Sequence, residues 1–324
     1  MNSAAPGLHA TRLLPGFSAL LVFIALAFSA PLYAQVSLPS VNLGQTTFED
    51  GIAFPGLMVE TLPEYYHAGQ WKNATGGTIA GDNTLTTVST LNHVALISHR
   101  RLLGGYAGAE AVLVLADANP QTSFGPDSRT AGVSDLTMAP LIQWTNNKLF
   151  GKPYFQRICF DFSVPTGKYN KNRAVNIGNN AFVFNPYYAF TYVFAPRWEA
   201  SARLHYLYNG ENDSPVGQSS TLRNVQAGQA FHQNYMVSYK VVDGVRFGFN
   251  GYALEQFTDH RENGIALANS RERVFGLGPG VELGGKGTWL WVNAYIETGA
   301  QNRPQGAAVS FDFRKVFSLE RKQK

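Results

Sequence analysis

The chain has 324 residues, of which 45% are hydrophobic, 13% aromatic and only 15% charged, with a formal net charge of +4. So few charges beside so many rings exclude a disordered chain, and a single cysteine, Cys159, excludes an internal disulfide framework. The positive excess is spread out apart from a tail holding Arg321, Lys322 and Lys324, which gives no support to nucleic-acid binding.

Arg12 is the only formally charged side chain before Glu49. The apolar run 17–28, FSALLVFIALAF, has the length of a signal-peptide core and is short for a membrane span. It predicts an exported chain with a signal over residues 1–34, cleaved after Ala34 or, alternatively, after Ser29. An uncleaved anchor is the competing reading. Residues 35–56 contain LPSVNLGQ and FEDG and show no strand pattern. They are expected either to fold inward as a plug or to hang as a loose tail.

From there the hydrophobic period is two, the signature of strands with unlike faces. In WEASARLHYLY, Trp198, Ala200, Ala202, Leu204, Tyr206 and Tyr208 share one face, and Glu199, Ser201, Arg203 and His205 share the other. In YFQRICFDFSV, Ile158, Phe160, Phe162 and Val164 oppose Arg157, Cys159, Asp161 and Ser163. Similar runs predict about twelve strands, near 57–66, 87–98, 103–116, 132–144, 154–164, 181–194, 198–208, 225–240, 245–257, 273–283, 288–299 and 307–317. The first three alternate weakly. Most are near ten residues, enough for a tilted strand to cross a bilayer.

The connections alternate short and long. Short ones fall at 99–102, 145–153, 195–197, 241–244 and 284–287, and long ones at 67–86, 117–131, 165–180, 209–224, 258–272 and 300–306. A soluble sandwich has no reason to keep that phase. An outer-membrane barrel has periplasmic turns that are short and extracellular loops that are long. The predicted fold class is therefore all-β: a transmembrane antiparallel up-and-down β-barrel over 57–317, followed by a basic tail at 318–324. Gly306, Val309, Phe311 and Phe313 look like the terminal signal read by the barrel assembly machinery, although SLERKQK follows it.

Several of these segments resemble the meta-pathway phenol-degradation protein family. They are LGQTTFEDG from Leu43, PGLMVE from Pro55, EYYHAG from Glu64, GVSDLTMAPLIQW from Gly132, SVPTGKYN from Ser163, the run from Asn176 through NPYYAFTY, and RPQG from Arg303. Their order and spacing carry the likeness, which covers nearly all of the chain after the signal. The resemblance implies a bacterial outer-membrane barrel concerned with uptake of small hydrophobic, aromatic compounds.

About twelve strands enclose a lumen between a side-chain-filled eight-stranded barrel and a water-filled porin. Its candidate lining is Asp135, Arg157, Asp161, Glu199, Arg203, His205, His232, Lys240 and Arg246, with Tyr187, Tyr252 and Tyr295 as rings on the inner face. Opposite charges on neighbouring strands, such as Asp161, Arg203 and Lys240, serve either as a salt-bridge lattice or as a constriction that orients a polar head. The tyrosines serve either as packing or as a surface on which an aromatic solute stacks. Trp144, Trp198, Tyr208, Trp289 and Trp291 lie near strand ends, mostly as interfacial anchors. Pro140 and Pro186 predict a bulge or a local opening of the wall. Gly276, Gly278 and Gly280 predict a kinked strand that widens the lumen or admits the N-terminal segment.

Enzyme signatures are missing. The sequence has no G-x-S-x-G, no H-E-x-x-H and no histidine followed two residues later by serine. No catalytic residue, metal or cofactor is expected. Asn209, Glu211, Asn212 and Asp213 form a loop cluster that is either solvated or calcium-binding. The expected partners are a small hydrophobic or aromatic solute, outer-membrane lipid and the assembly machinery. The expected function is passive passage of that solute. The alternatives are a narrow structural or adhesive barrel acting through its loops, and an outer-membrane enzyme of unrecognised type.

Overall fold

A computed structural model describes residues 37–45, 48–123, 129–173, 175–216 and 221–319. The expected signal peptide and most of the basic tail lie outside the described residues. Twelve antiparallel strands form the wall. They are β1 (Gly56–Trp71), β2 (Thr84–Leu102), β3 (Gly105–Gln121), β4 (Thr130–Val133, resuming at Leu136–Leu149), β5 (Lys152–Cys159 and Phe162–Val164), β6 (Val183–Phe184 and Tyr187–Ala195), β7 (Trp198–Asn209), β8 (Ala230–Val242), β9 (Val245–Gln256), β10 (Arg273–Gly285), β11 (Thr288–Gln301) and β12 (Pro304–Ser318). Each pairs with its neighbour in sequence, and β1 pairs with β12 from Gly56↔Ser318 to Trp71↔Pro304, so the sheet closes and leaves no edge. No helix is assigned among the described residues.

The two-residue period decides what faces lipid. Val94, Leu96, Phe231, Val237, Phe247, Phe249, Ile296, Phe311 and Phe313 are exposed on the outside. Their sequence neighbours Ala95, His232, Ser238, Asn250, Glu297 and Asp312 are buried inside. Such an arrangement is stable only in a bilayer, because the outer belt is a contiguous apolar surface.

Three expectations are corrected. First, β1, β2 and β3 are 16, 19 and 17 residues long, well beyond a bilayer crossing. Their long-loop halves mix polar residues with exposed Tyr65, Val88 and Leu115, so the alternation is weak there. Second, residues 300–306 are not a loop: Asn302 and Arg303 alone join β11 to β12, with Asn302 at φ 51°. Third, neither proline makes a bulge. Leu141↔Cys159 and Met138↔Phe162 keep one register across Pro140, and Phe162↔Phe184 and Cys159↔Tyr187 keep one beside Pro186. Each proline lacks an N–H, but its carbonyl still accepts, from Phe160 N at 3.1 Å for Pro140 and from Tyr206 N at 3.1 Å for Pro186. The wall is shut there. Outside Pro140 it carries an apolar hollow of about 350 Å³, lined by Val94, Leu96, Ala109, Met138 and Phe162.

Beyond the long-loop end, Glu211–Asn212, Val225–Gln226, Arg261–Glu262 and Ile265–Ala266 form a separate four-stranded sheet. Asn212 accepts from Asn180 Nδ2 at 2.7 Å and from Ser214 N at 2.9 Å, and Asn209 Nδ2 donates to Gly228 O at 2.8 Å. These amides of the loop cluster are thus engaged in holding loops to each other.

Candidate functional site: the barrel lumen

The described part of residues 37–55 runs inside the barrel, from the long-loop end down to the start of β1. Near the long-loop end, Leu38 N donates to Glu272 Oε1 at 2.6 Å. Half way down, Gly44 N donates to Asn234 Oδ1 at 2.7 Å, and Tyr295 Oη donates to Gly44 O at 2.7 Å. Phe48 is fully buried against Trp291, with ring centroids 6.3 Å apart, and against Met236. Gly280 makes room for it, since a Cβ there would stand 3.0 Å from the Phe48 ring. Gln143 Nε2 donates to Gly51 O at 2.8 Å. The segment is held by many polar contacts and one large buried ring.

Two layers of charge surround it. Nearer the short-turn end, Arg246 lies 3.0 Å from Glu49, 3.2 Å from Glu199 and 3.5 Å from Glu282. Glu199 also accepts from Ser238 Oγ at 3.1 Å, and Glu282 from Trp291 Nε1 at 2.9 Å. At mid-height, Arg203 clasps the Asp50 carboxylate, with Nε 2.9 Å from Oδ2 and Nη2 on Oδ1. Arg157 Nη2 donates to Asp50 O at 2.8 Å and lies 3.5 Å from its Oδ1. Across the lumen, Arg314 pairs with Glu60, and His93 bridges Glu60 at 2.8 Å and Glu110 at 3.4 Å. Buried charges persist only when paired in this way.

The rings gather in two places. Tyr187 donates to Glu110 Oε1 at 3.0 Å, accepts from Arg157 Nε at 3.1 Å, and lies under the Arg203 guanidinium at 4.3 Å. His205 is 5.0 Å from the Tyr187 ring, and His205 and His232 stack at 4.1 Å with 13° between their planes. The register explains the stack, because His205 is the direct partner of His232 across β7 and β8. Nearer the long-loop end, Tyr252 and Tyr295 pack at 5.1 Å, and Tyr252 Oη donates to Glu297 Oε1 at 3.0 Å.

Of the sequence candidates, Arg157, Arg203, Tyr187, His205 and His232 form one continuous group, Glu199 and Arg246 a second, and Tyr252 and Tyr295 a third. Three stand apart. Asp135 fills a break in β4, where it accepts from Gly167 N and Asn179 N, both at 2.8 Å, and ties down the 165–182 loop. Lys240 lies at the short-turn rim, 3.1 Å from Asp243, and does not meet Asp161 or Arg203. Asp161 is half-buried and accepts from the Cys159 thiol at 3.3 Å, while that thiol also lies 3.4 Å from Glu110. Glu110, Cys159 and Asp161 are the one group of metal-type donors close together among the described residues. The thiol already bridges its two carboxylates there.

Sequence reasoning missed Glu49, Asp50, Glu60, His93 and Gln143. The signal for the first two was present: they are the first acids of the chain, adjacent, in a stretch with no other charge after Arg12. It also misplaced two tryptophans. Trp291 is 2% exposed and faces the lumen, with Arg314 over its ring at 3.9 Å, and half-buried Trp289 packs on the same cluster. The outer girdle at the short-turn end is built instead from Trp198, Phe194 and Tyr239, with Trp144 Nε1 bound to Leu103 O at 3.0 Å.

The model of the family described as "Putative MetA-pathway of phenol degradation" matches residues 68–313. Among solved structures, the chain is similar to the COG4313 outer membrane channel from Pseudomonas putida F1, with a TM-score of 0.74 at 15% identity, covering 86% of this chain and 100% of that one. It is also similar to the transport unit of the autotransporter AIDA-I from Escherichia coli, with a TM-score of 0.51 at 10% identity, covering 95% and 100%. At such identities the likeness is one of fold. A comparison with curated proteins gave no match.

Proposed function

Because the chain belongs to the MetA-pathway phenol-degradation family and folds as a twelve-stranded outer-membrane barrel, we propose that it is an outer-membrane channel for passive entry of small hydrophobic, aromatic compounds. The observation that carries this reading is the lumen itself. Its occupant is one extended segment, held by backbone and side-chain hydrogen bonds, and it lies against the rings of Tyr252, Tyr295 and Trp291. Ring faces accept an aromatic solute without demanding a particular set of hydrogen bonds. No energy source enters this reading: the solute moves down its own gradient. The long-loop end faces outward and the short turns face the periplasm, as in barrels of this kind.

The test is initial uptake of labelled phenol or toluene at low concentration, in a deletion strain with and without this gene, with a small sugar as control. Restored aromatic uptake with unchanged sugar uptake supports the channel. Equal aromatic uptake in both strains sinks it. The second reading, a closed barrel acting through its loops, draws on the four-stranded sheet beyond the long-loop end. Under it, uptake is unaffected, and deleting residues 261–266 abolishes surface binding while the barrel folds as before.

A further inference from the structure

The charge lattice of the wall is self-sufficient everywhere except at one place. Arg314 has Glu60 and Asp312, Arg303 has Glu272, His93 has Glu60 and Glu110, and Arg246 has Glu199 and Glu282 besides Glu49. Apart from Glu49, those partners lie on the wall strands or, for Glu272, next to one. Arg157 and Arg203 differ. Among the described residues, the only carboxylate within 4 Å of either is Asp50, and Asp50 belongs to the lodged segment. All three residues are buried, at 8%, 6% and 4% exposure. Two desolvated guanidinium groups on the wall therefore depend on a carboxylate brought from outside the wall. An arginine fork with its planar donors side-on to a carboxylate is the strongest of such contacts.

The fork is one end of a longer feature. The Tyr187 ring lies 4.3 Å from the Arg203 guanidinium and 5.6 Å from that of Arg157, and His205 and His232 continue the row of rings. Both imidazoles are buried, and His232 Nε2 lies 3.0 Å from Asn185 Oδ1. A carboxylate fork next to a row of flat rings complements a planar aromatic ring that bears a carboxylate.

We propose that Arg157, Arg203 and Tyr187 form a binding site for an aromatic carboxylate of the benzoate class, and that the Asp50 side chain is its resting occupant. The solute carboxylate replaces that of Asp50 on Arg203, and the ring lies along Tyr187 and His205. Each exchange swaps one carboxylate for another, so the buried cations are never left unpaired. This inference rests on the reading of the protein as a channel, and it names the class of solute the lumen prefers.

The test is calorimetric titration of the full-length protein in detergent with benzoate, benzyl alcohol and acetate. Asp50→Asn keeps the shape of the occupant and removes its charge. It is expected to tighten benzoate binding at least tenfold over wild type, to leave benzyl alcohol unchanged, and to leave acetate at least tenfold weaker than benzoate. Adding Arg203→Gln to Asp50→Asn abolishes the gain. Equal benzoate affinity with and without Asp50 overturns the proposal, and so does acetate binding as tightly as benzoate. If Asp50→Asn fails to fold, wild-type protein in planar bilayers decides instead: benzoate raises the single-channel conductance above that in acetate at equal ionic strength, and equal conductances overturn the proposal. Failure here is separable from failure of the channel reading. Phenol uptake in cells with no benzoate preference in detergent removes only this site, whereas benzoate binding with no uptake of any aromatic removes only the channel.

Discussion

Gly51 and Thr191 are locked together backbone to wall. The Gly51 amide donates to Thr191 Oγ1 at 2.9 Å, and a Cβ on Gly51 would stand 2.4 Å from the Thr191 nitrogen. No side chain fits in that space, and β6 cannot retreat because β5 and β7 pair with it on either side. Gly51→Ala is therefore expected to loosen the segment without unfolding the barrel, at a cost of about 1–3 kcal/mol, the usual range for overpacking. Cleavage after Glu49 by a glutamate-specific protease measures it. The variant should be cut several-fold faster than wild type, and an equal rate would show that Gly51 is not a close contact.

Phe48 is the one large apolar side chain of the segment that is fully buried, between Trp291 and Met236. Phe48→Ala removes that anchor at a cost of about 3–5 kcal/mol, as for other buried rings. The wall's strand pairing does not depend on Phe48, so the expected result is a more loosely filled lumen in an intact barrel. Mean single-channel conductance in planar bilayers should rise at least two-fold, while the folded form still resists SDS in a gel. Unchanged conductance would mean that the segment is held elsewhere.

The Asp50–Arg203 contact should behave as a buried pair. Arg203→Met alone leaves the Asp50 carboxylate with only Arg157 Nη2, 3.5 Å from its Oδ1, and is expected to destabilise by about 3–5 kcal/mol. Asp50→Leu with Arg203→Met should recover most of that loss, because two apolar groups replace a desolvated pair. A double-mutant cycle on heat unfolding in detergent reads the coupling. Additive losses would show that the two side chains do not interact in the folded protein.

Depth in the bilayer should grade the lipid face. Phe249 is 59% exposed near the middle of β9, and Phe317 is 50% exposed near the end of β12. Phe249→Arg is expected to cost about 2–4 kcal/mol and Phe317→Arg about 0–1 kcal/mol, since a charge at the midplane cannot reach water. Refolding yield into vesicles, read from gel mobility without heating, should fall for the first and hold for the second. Equal yields would contradict the placement of the outer belt.

The wall was legible residue by residue, because its cause is local. A side chain on a strand faces lipid or lumen according to parity alone, so Phe247 and Phe249 outward and Asn250 inward follow from a count of two. The alternation of short and long connections likewise reports which end of a hairpin turns tightly. Where that local cause lapses, legibility lapses with it. The long-loop halves of β1 to β3 mix polar residues with exposed Tyr65, Val88 and Leu115, so their true lengths did not show. Trp291 obeys parity, yet its indole suits a membrane interface as well as a lumen, and only the packing against Phe48 and Glu282 decided between them. Residues 37–55 carry no period at all, since an extended chain enclosed by a barrel is contacted on every side. Their course, and with it the meeting of Asp50 with Arg157 and Arg203 across 107 and 153 residues, was decided by the closed sheet. Closure brings charges on non-adjacent parts of the chain into one dry interior, where each must find a partner, and no spacing along the sequence records which partner that is.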